Sequence, residues 1–338
     1  MGFAQHKKIL IGILAVAAVG ILMVSAPKQE NEETVVDLGL DSEEVASTLL
    51  LDEDVPATDP LPAFPIEQFA ADPRIQDLEA GAVYVEWLTH KLPLFELRAD
   101  VPLPLASLTK IMTAYAALEE VGEDAVITVT PDAVAQPGDH GQTDGMTYTL
   151  REALTYALAL SSNDAAYAIQ ESVSQYMTGE LPAGRGVAIN SFVRRMNDYA
   201  DELGLAQTYF VDAVGFDESE QLSGSYGTAR EVSRLMVAAH ARYPRGISSA
   251  SITPRIQVGE RTFQNTNPLV ETEDIMFSKT GFTDLAGGNL AVLVDTTAGP
   301  VSIVVLRSSF EGRIADVELL IRIFEDWYGN YVITDSVY

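Results

Sequence analysis

The sequence predicts a mixed α/β (α+β) domain in which an antiparallel five-stranded sheet is flanked by helices and interrupted by an inserted helical subdomain. Three observations predict this class: strand-like segments near the start of the domain, a long middle region of helical periodicity, and strand-like segments again near its end. We expect the first and last strands to pair within one sheet, with any functional crevice between that sheet and the helices.

The individual elements follow from the spacing of apolar residues. Two short strand-like runs open the domain, at residues 82–87 and 93–97. Apolar residues then recur with i, i+3 and i+4 spacing in five helical stretches, at 108–120, 150–158, 164–173, 187–203 and 228–241. Strand chemistry returns in three runs separated by glycine and turn signals, at 275–279, 289–295 and 301–307. A last amphipathic helix over 314–327 closes the domain.

The predicted domain occupies residues 61–338 and follows a membrane-directed N-terminus. Residues 1–8 contain two lysines and predict a cytoplasmic tail, because positive charge stays on the cytoplasmic side. Residues 9–26 form an uninterrupted apolar run of 18 residues, which is long enough to span a bilayer. A cleavable signal peptide is the alternative, since Val-Ser-Ala at 24–26 resembles a cleavage site. Its apolar region would have about 7–15 residues, so we favour an uncleaved transmembrane signal-anchor.

An acidic linker is predicted between the anchor and the domain, at residues 27–60. This segment has eleven Asp or Glu against one Lys and no sustained period that would bury a face, so we expect it to be disordered. The anchor and linker together predict a single-pass protein of the cell membrane, with the domain on the extracytoplasmic side.

Composition excludes several classes of function. The net charge of −28 would repel a phosphate backbone, so no nucleic-acid partner is expected. The chain has no cysteine, which removes disulfides, thiolate metal sites and cysteine nucleophiles. The four histidines are scattered and form no His-x-x-x-His pair, so we interpret each as a surface or helix-end residue. We therefore expect neither a metal nor a cofactor.

Three short motifs follow one another along the chain: Ser-Leu-Thr-Lys at 107–110, Ser-Ser-Asn at 161–163 and Lys-Thr-Gly at 279–281. Each is weak alone, because chance supplies about one Ser-x-x-Lys in a chain of this length. The positions of the few lysines strengthen the interpretation that these motifs are functional. Of six lysines only Lys91, Lys110 and Lys279 lie beyond residue 28, and two of these three stand in motifs. Such positions favour an amine that can lose its proton or act as a compact charge.

The first motif has the chemistry of an activated nucleophile. Ser107 and Lys110 are three residues apart at the predicted start of a helix, so hydroxyl and amine lie on one face. Burial lowers the pKa of a lysine, and a neutral amine can take the proton from a serine hydroxyl. The helix N-terminus adds backbone N–H groups where an oxyanion would develop.

The other two motifs have the chemistry of substrate binding and proton relay. Ser161 and Asn163 lie between two helical patterns, where a hydroxyl could relay a proton and an amide could bind substrate; helix capping is the alternative for these residues. On the predicted strand, Thr280 can bind a carboxylate and Lys279 adds positive charge. Gly281 lets a substrate backbone approach closely.

These motifs and their surroundings resemble the serine D-Ala-D-Ala carboxypeptidases of the low-molecular-mass penicillin-binding proteins, peptidase family S11. The likeness covers about residues 81–324 and is carried by the runs at 105–114, 161–166 and 279–284. It implies a β-lactamase/transpeptidase-like fold and a two-step reaction on peptidoglycan stem peptides. Ser107 would attack the bond between two D-alanines, and water would hydrolyse the acyl-enzyme. β-Lactams are implied as further ligands.

The resemblance also implies a role for each site residue. Lys110 would be the base, Ser161 would shuttle protons, and Asn163 and Lys279 would hold the substrate. The N–H groups of Ser107 and Phe282 would form the oxyanion hole. Arg313 resembles the family's arginine near the terminal carboxylate, with Arg307 as a rival.

Three alternatives to a carboxypeptidase remain. A DD-endopeptidase would use the same residues on peptide cross-links. A class A-like β-lactamase needs a positioned glutamate for deacylation, and no segment between Asn163 and Lys279 clearly offers one. From another class, a non-catalytic wall-binding or β-lactam-sensing module is disfavoured, because a pure binder needs no nucleophile and base.

Overall fold

The structure is a computed structural model that describes residues 65–179 and 191–335. The predicted tail, anchor and linker, over residues 1–60, lie outside the described residues, so these boundaries stay predictions. Within the two described ranges, no helix is both long enough and apolar enough to cross a membrane.

The described residues form short strands, two long hairpins and a set of helices. The strands are β1 (Ala82–Trp87), β2 (Leu92–Leu97), β3 (Leu103–Pro104), β4 (Val126–Thr128), β5 (Thr147–Thr149), β6 (Tyr209–Phe210), β7 (Asp217–Ser219), β8 (Leu222–Ser223), β9 (Ser225–Gly227), β10 (Arg255–Val258), β11 (Arg261–Gln264), β12 (Ile275–Thr283), β13 (Gly287–Thr296) and β14 (Gly299–Ser308). The α-helices are α1 (Ile66–Ala70), α2 (Thr109–Glu120), α3 (Pro131–Val134), α4 (Leu150–Ala159), α5 (Asn163–Thr178), α6 (Ser191–Glu202), α7 (Ala229–Arg242), α8 (Ser249–Ser251) and α9 (Gly312–Asp335).

The main sheet joins the two ends of the domain. Its five strands have the order β12-β13-β14-β1-β2, and each neighbouring pair is antiparallel. β1 pairs with β14 along its whole length, from Ala82 opposite Leu306 to Trp87 opposite Val301. The predicted pairing of first and last strands is confirmed, and so is the five-stranded antiparallel sheet.

Alternating side chains give this sheet two buried faces. On β14, Val304 and Leu306 belong to a core shared with the helical insert, whereas Ile303 and Val305 belong to a core shared with α9. The other strands alternate in the same way because successive side chains of a strand point to opposite faces. β12 is one of the two edge strands of this sheet, and the third motif lies on it among mostly buried residues.

The helical insert runs between β2 and β12 and is built around α2. This helix is buried on nearly all sides, with Ile111, Met112 and Ala116 at 0% exposure. It contacts α4, α5, α6 and α7, so the first motif lies at the centre of the insert. Such burial explains why a short helix with small residues is held rigidly at its N-terminus.

Candidate active site

The nucleophile candidate Ser107 lies on a strained turn at the start of α2. β3 leads into a 3₁₀ turn over Ala106–Leu108, which continues directly into the helix. Ala106 has a φ of 51°, a left-handed conformation that persists in non-glycine residues only where neighbours enforce it. The turn therefore presents the Ser107 hydroxyl from a rigid part of the backbone.

Lys110 is fully buried and directed at that hydroxyl. Its Nζ donates hydrogen bonds to Ser107 Oγ at 2.8 Å, Asn163 Oδ1 at 2.9 Å and Val214 O at 2.8 Å. Burial lowers the pKa of Lys110 to about 7, while the nearby charge of Asp212 acts in the opposite direction. An amine that titrates in this range can be neutral at physiological pH and so accept a proton.

The second motif links the first and third motifs. Ser161 has a φ of 57° in the link between α4 and α5, and its Oγ accepts a hydrogen bond from Lys279 Nζ at 2.9 Å. Ser162 caps α5, because its Oγ accepts from Ala165 N at 3.2 Å. Asn163 opens that helix with Oδ1 on Lys110 and with Nδ2 donating to Pro137 O at 2.7 Å. Ser162 is therefore the residue that caps α5, and the side chains of Ser161 and Asn163 contact the two buried lysines instead.

The third motif lies on the edge strand β12. Lys279 is 1% exposed and also donates to Thr280 O at 2.8 Å. Burial lowers the pKa of Lys279 well below its usual value, and the positive charges of Lys110 and Arg313 lower it further. The Thr280 hydroxyl shares a hydrogen bond with Thr266 Oγ1 at 2.7 Å.

Gly281 allows β12 to lie close to the 3₁₀ turn that contains Ser107. A Cβ at position 281 would lie 2.9 Å from Leu105 O and 3.3 Å from Ser107 N, too close for a side chain without movement. The next residue, Phe282, is 45% exposed and meets the ring of Phe310 edge-to-face at 5.2 Å. The backbone around Phe282 and the start of α2 therefore lie side by side.

Arg313 and Arg307 lie in different places. Arg313 is 5% exposed, its Nη1 donates to Gly281 O at 2.7 Å, and its guanidinium lies 4.3 Å from the centre of the Phe310 ring. The buried Nε of Arg313 has no partner within the described part of the chain. Arg307 is exposed and lines a surface pocket with Gly81 and Arg98. These contacts favour Arg313 over its rival.

Two residues beside the site were not found by sequence reasoning. His140 is half-buried, and its pKa is lowered first by burial and then by the charge of Lys110. Its partial exposure is compatible with the predicted surface position, and the loop that carries it contacts Asn163 through Pro137 O. Asp212 holds the turn that contains Val214. The only available signal was the Asp-Ala-Val-Gly spacing, typical of a side chain that closes a turn on its own backbone.

The arrangement has the parts needed for acyl transfer. A hydroxyl contacts a buried amine, a second hydroxyl contacts a second buried amine, and an open strand edge runs beside both. Within residues 65–179 and 191–335, no group of three His, Asp or Glu side chains is arranged to hold a metal ion.

The sequence is similar to those of known proteins. A family model described as D-alanyl-D-alanine carboxypeptidase, Peptidase_S11, matches residues 68–309. A D-alanyl-D-alanine endopeptidase of Pseudomonas aeruginosa is 31% identical over 247 residues, which are 69% of this chain and 73% of that protein. The D-alanyl-D-alanine carboxypeptidase DacD of Escherichia coli is 28% identical over 275 residues, or 77% of this chain and 66% of that protein.

Solved structures show the same architecture. Penicillin-binding protein D2 from Listeria monocytogenes, in its ampicillin-bound form, is 26% identical and has a TM-score of 0.58, with 73% of this chain and 97% of that chain covered. A mutant of the Streptomyces K15 DD-transpeptidase has a TM-score of 0.63 at 24% identity, with the same coverage, and supports the fold alone. The predicted transpeptidase-like fold is confirmed.

Proposed function

Because the chain belongs to the peptidase S11 family of D-alanyl-D-alanine carboxypeptidases and is a serine peptidase, we propose that it removes the terminal D-alanine of peptidoglycan stem peptides through Ser107. The observation that carries this proposal is the 2.8 Å hydrogen bond between Lys110 Nζ and Ser107 Oγ, made by a fully buried amine. A purely structural lysine would gain more from solvent exposure, since burial penalises its charge.

Acylation begins with proton transfer. Neutral Lys110 takes the hydroxyl proton of Ser107 while the serine oxygen attacks the carbonyl carbon between the two D-alanines. The carbonyl oxygen becomes an oxyanion, which the N–H groups of Ser107 and Phe282 stabilise at the start of α2. Asn163 keeps Lys110 directed at the hydroxyl through its Oδ1, 2.9 Å from Nζ.

The leaving group then needs a proton. When the tetrahedral intermediate collapses, the C–N bond breaks and the proton first taken by Lys110 reaches the departing amine of D-alanine through the Ser161 hydroxyl. Lys279 holds the Ser161 oxygen at 2.9 Å during this transfer. Water attacks the ester in the second step, with its proton accepted by Lys110, and Ser107 regains its hydrogen.

In this mechanism, β12 and the side chains of Thr280 and Arg313 orient the substrate. The peptide lies against the open edge of β12, where Gly281 leaves the necessary space. Thr280 and Arg313 bind the terminal carboxylate, and Lys279 supports the site from the interior through its hydrogen bond to Ser161 Oγ.

A DD-endopeptidase is the second candidate. The Pseudomonas aeruginosa relative named an endopeptidase, at 31% identity, favours it. Both reactions use the same acyl-enzyme, so release of D-alanine from a pentapeptide has to be compared with cleavage of a cross-linked dimer. Faster turnover of the dimer would replace the carboxypeptidase assignment.

Binding of β-lactams and attachment to the membrane belong to the same proposal. A β-lactam presents a strained amide and a carboxylate to Ser107 and Arg313, and the Listeria relative is described with bound ampicillin. Residues 9–26 would anchor the chain, with the catalytic domain extracytoplasmic. The linker at 27–60 would have a reach of roughly 30–35 Å.

The test is intact mass spectrometry of the full chain, held in detergent and incubated with benzylpenicillin. We expect one covalent adduct on the wild type and none on Ser107→Ala, because only an activated serine forms the ester. A folded wild type that neither forms an adduct nor hydrolyses the drug would contradict this mechanism and favour the non-catalytic binding module.

A further inference from the structure

Asp212 organises a tight turn beside the proposed catalytic pair. Its Oδ1 accepts hydrogen bonds from Val214 N at 2.6 Å and from Gly215 N at 2.5 Å. A carboxylate with two backbone donors on one oxygen fixes the backbone of the turn more strongly than a neutral acceptor does. The segment 212–215 is therefore held in shape by one side chain.

This turn is fastened to the helix that carries the base. Val214 O accepts from Lys110 Nζ at 2.8 Å, and one residue earlier Ala213 O accepts from Thr113 Oγ1 at 2.6 Å. One of the three bonds that direct Lys110 at Ser107 thus depends on the position of the Val214 carbonyl.

The turn also supports the nucleophile. Gly215 has a φ of 83°, and a Cβ there would lie 2.0 Å from Ala106 O, so the turn packs directly against the residue before Ser107. On the other side, a Cβ at Gly224 would lie 2.4 Å from Asp212 Oδ2. Asp212 is confined between these contacts and cannot move without moving the turn.

The charge of Asp212 also affects the protonation of Lys110. The negative charge of Asp212 raises the pKa of Lys110, opposing the larger effect of burial. Burial and a hydrogen bond with Glu218 together raise the pKa of Asp212 to about 6, although the N–H groups of Gly215 and Val214 lower it. The other charged or titratable groups that interact with Lys110 are Lys279 and His140.

We propose that Asp212 is a positioning residue for acyl transfer, because it holds the turn whose Val214 carbonyl orients Lys110 towards Ser107. This inference rests on the proposed function, in which Lys110 must be neutral to activate Ser107. Its consequence is a rate that depends on two coupled groups.

The test is the pH dependence of benzylpenicillin acylation by the full chain. Asp212→Asn keeps an oxygen for both N–H donors and removes the charge, so Lys110 should lose its proton at lower pH. We expect the acid limb of the pH profile to move down by up to about one unit, with the rate at pH 6.5, relative to its plateau, about two- to threefold higher than in wild type. The effect is limited because Asp212 itself loses its charge near pH 6. Glu220→Gln, a charge removed from an exposed site on the same segment, should leave the limb unchanged.

Glu218→Gln supplies a second, opposite readout that does not depend on the Asp212 variant folding. Without its carboxyl partner, Asp212 should stay ionised to lower pH and keep Lys110 protonated there. The relative rate at pH 5 should therefore fall about two- to fivefold below wild type.

The outcomes separate the two proposals. Acid limbs that coincide for wild type, Asp212→Asn and Glu218→Gln would overturn the role of Asp212 while leaving the Ser107 mechanism intact. A uniform loss of rate at every pH in Asp212→Asn would mean that the residue is only structural. Absence of any acylation in the wild type would overturn the proposed function itself, and this inference with it.

Discussion

The burial of Lys110 opposes stability, and it also favours the neutral amine that the proposed mechanism requires. The folded protein releases the lysine proton near pH 7, whereas the unfolded chain keeps it up to about pH 10.5. Between these values the unfolded chain binds more protons than the folded one, so the free energy of unfolding rises with pH by up to about 1.4 kcal/mol per unit. Below pH 7 the unfavourable contribution is fully present.

Replacing this lysine should remove that pH dependence. We expect wild type to gain about 2 kcal/mol of unfolding free energy relative to Lys110→Met between pH 7 and pH 9, because the variant has no amine to titrate. Urea denaturation at both pH values measures the difference. Parallel changes in the two proteins would mean that Lys110 is not held neutral in the fold.

At the scale of single residues, the sequence predicted which residues form the site better than it predicted their backbone conformation. Motif order and lysine scarcity predicted that Ser107, Lys110 and Lys279 belong to one site, and the structure brings them together with Ser161 and Asn163. Their catalytic roles stay predictions. The left-handed backbone of Ala106 and Ser161 was not predictable, because only the surrounding packing makes it acceptable in residues with a Cβ. Asp212 was missed, because the Asp-Ala-Val-Gly spacing around it indicates a turn but not a neighbouring Lys110.

Among the elements, the approach of β12 to the start of α2 determines whether the site is assembled. Gly281 permits this approach, since nothing larger fits beside Leu105 O and Ser107 N. A displacement of about 1 Å at the reacting atoms can reduce rate about a hundredfold. We therefore expect the contact between the strand and the turn to be needed for activity as well as for packing.

Gly281→Ala should separate the two elements. We expect benzylpenicillin acylation to fall by about tenfold or more, because the added methyl group would push the strand away from the backbone that we propose binds the oxyanion. Stopped-flow or quenched acylation kinetics would measure it. Gly329→Ala is the matched control, since a Cβ at that helical position meets nothing within 4 Å. Equal rates in the two variants would show that the close contact is not needed.

Periodicity predicted every long element of the described domain. The strands of the main sheet and the helices of the insert fall where the apolar spacing placed them, and β12 and α9 extend further than predicted, to Thr283 and Asp335. The two-stranded sheets and the three-stranded sheet β3-β9-β6 were missed. Their strands have two to four residues, too few to establish an alternation of apolar and polar positions.

At the scale of the whole molecule, the described residues form two large cores on opposite faces of the main sheet. The site belongs to the core shared with the helical insert, and the aromatic cluster around Trp87, Phe324 and Trp327 belongs to the other. The Phe324 ring lies 5.9 Å from that of Trp87 and 5.8 Å from that of Trp327. Stability and catalysis can therefore be changed separately.

Phe324→Ala should lower stability without altering the chemistry. We expect a loss of about 3–5 kcal/mol in the free energy of unfolding, because the side chain is 0% exposed and leaves a cavity between sheet and helix. Leu222→Ala, at a residue 44% exposed, should change it by less than about 0.5 kcal/mol. Denaturant titration measures both. A matching loss of acylation rate per folded molecule would show that the two cores are coupled.

The pairing of β1 with β14 has a consequence for the order of folding. Ala82 finds its partner Leu306 only after the whole insert and the last hairpin have been made. Contacts between residues so far apart in sequence close slowly, because the chain must first lose the entropy of the intervening loop. During synthesis, the edge of β1 that pairs with β14 therefore stays unpaired. The helices of the insert can form first, because their contacts are more local. A chain interrupted before β14 would keep that edge open, ready to pair with another chain.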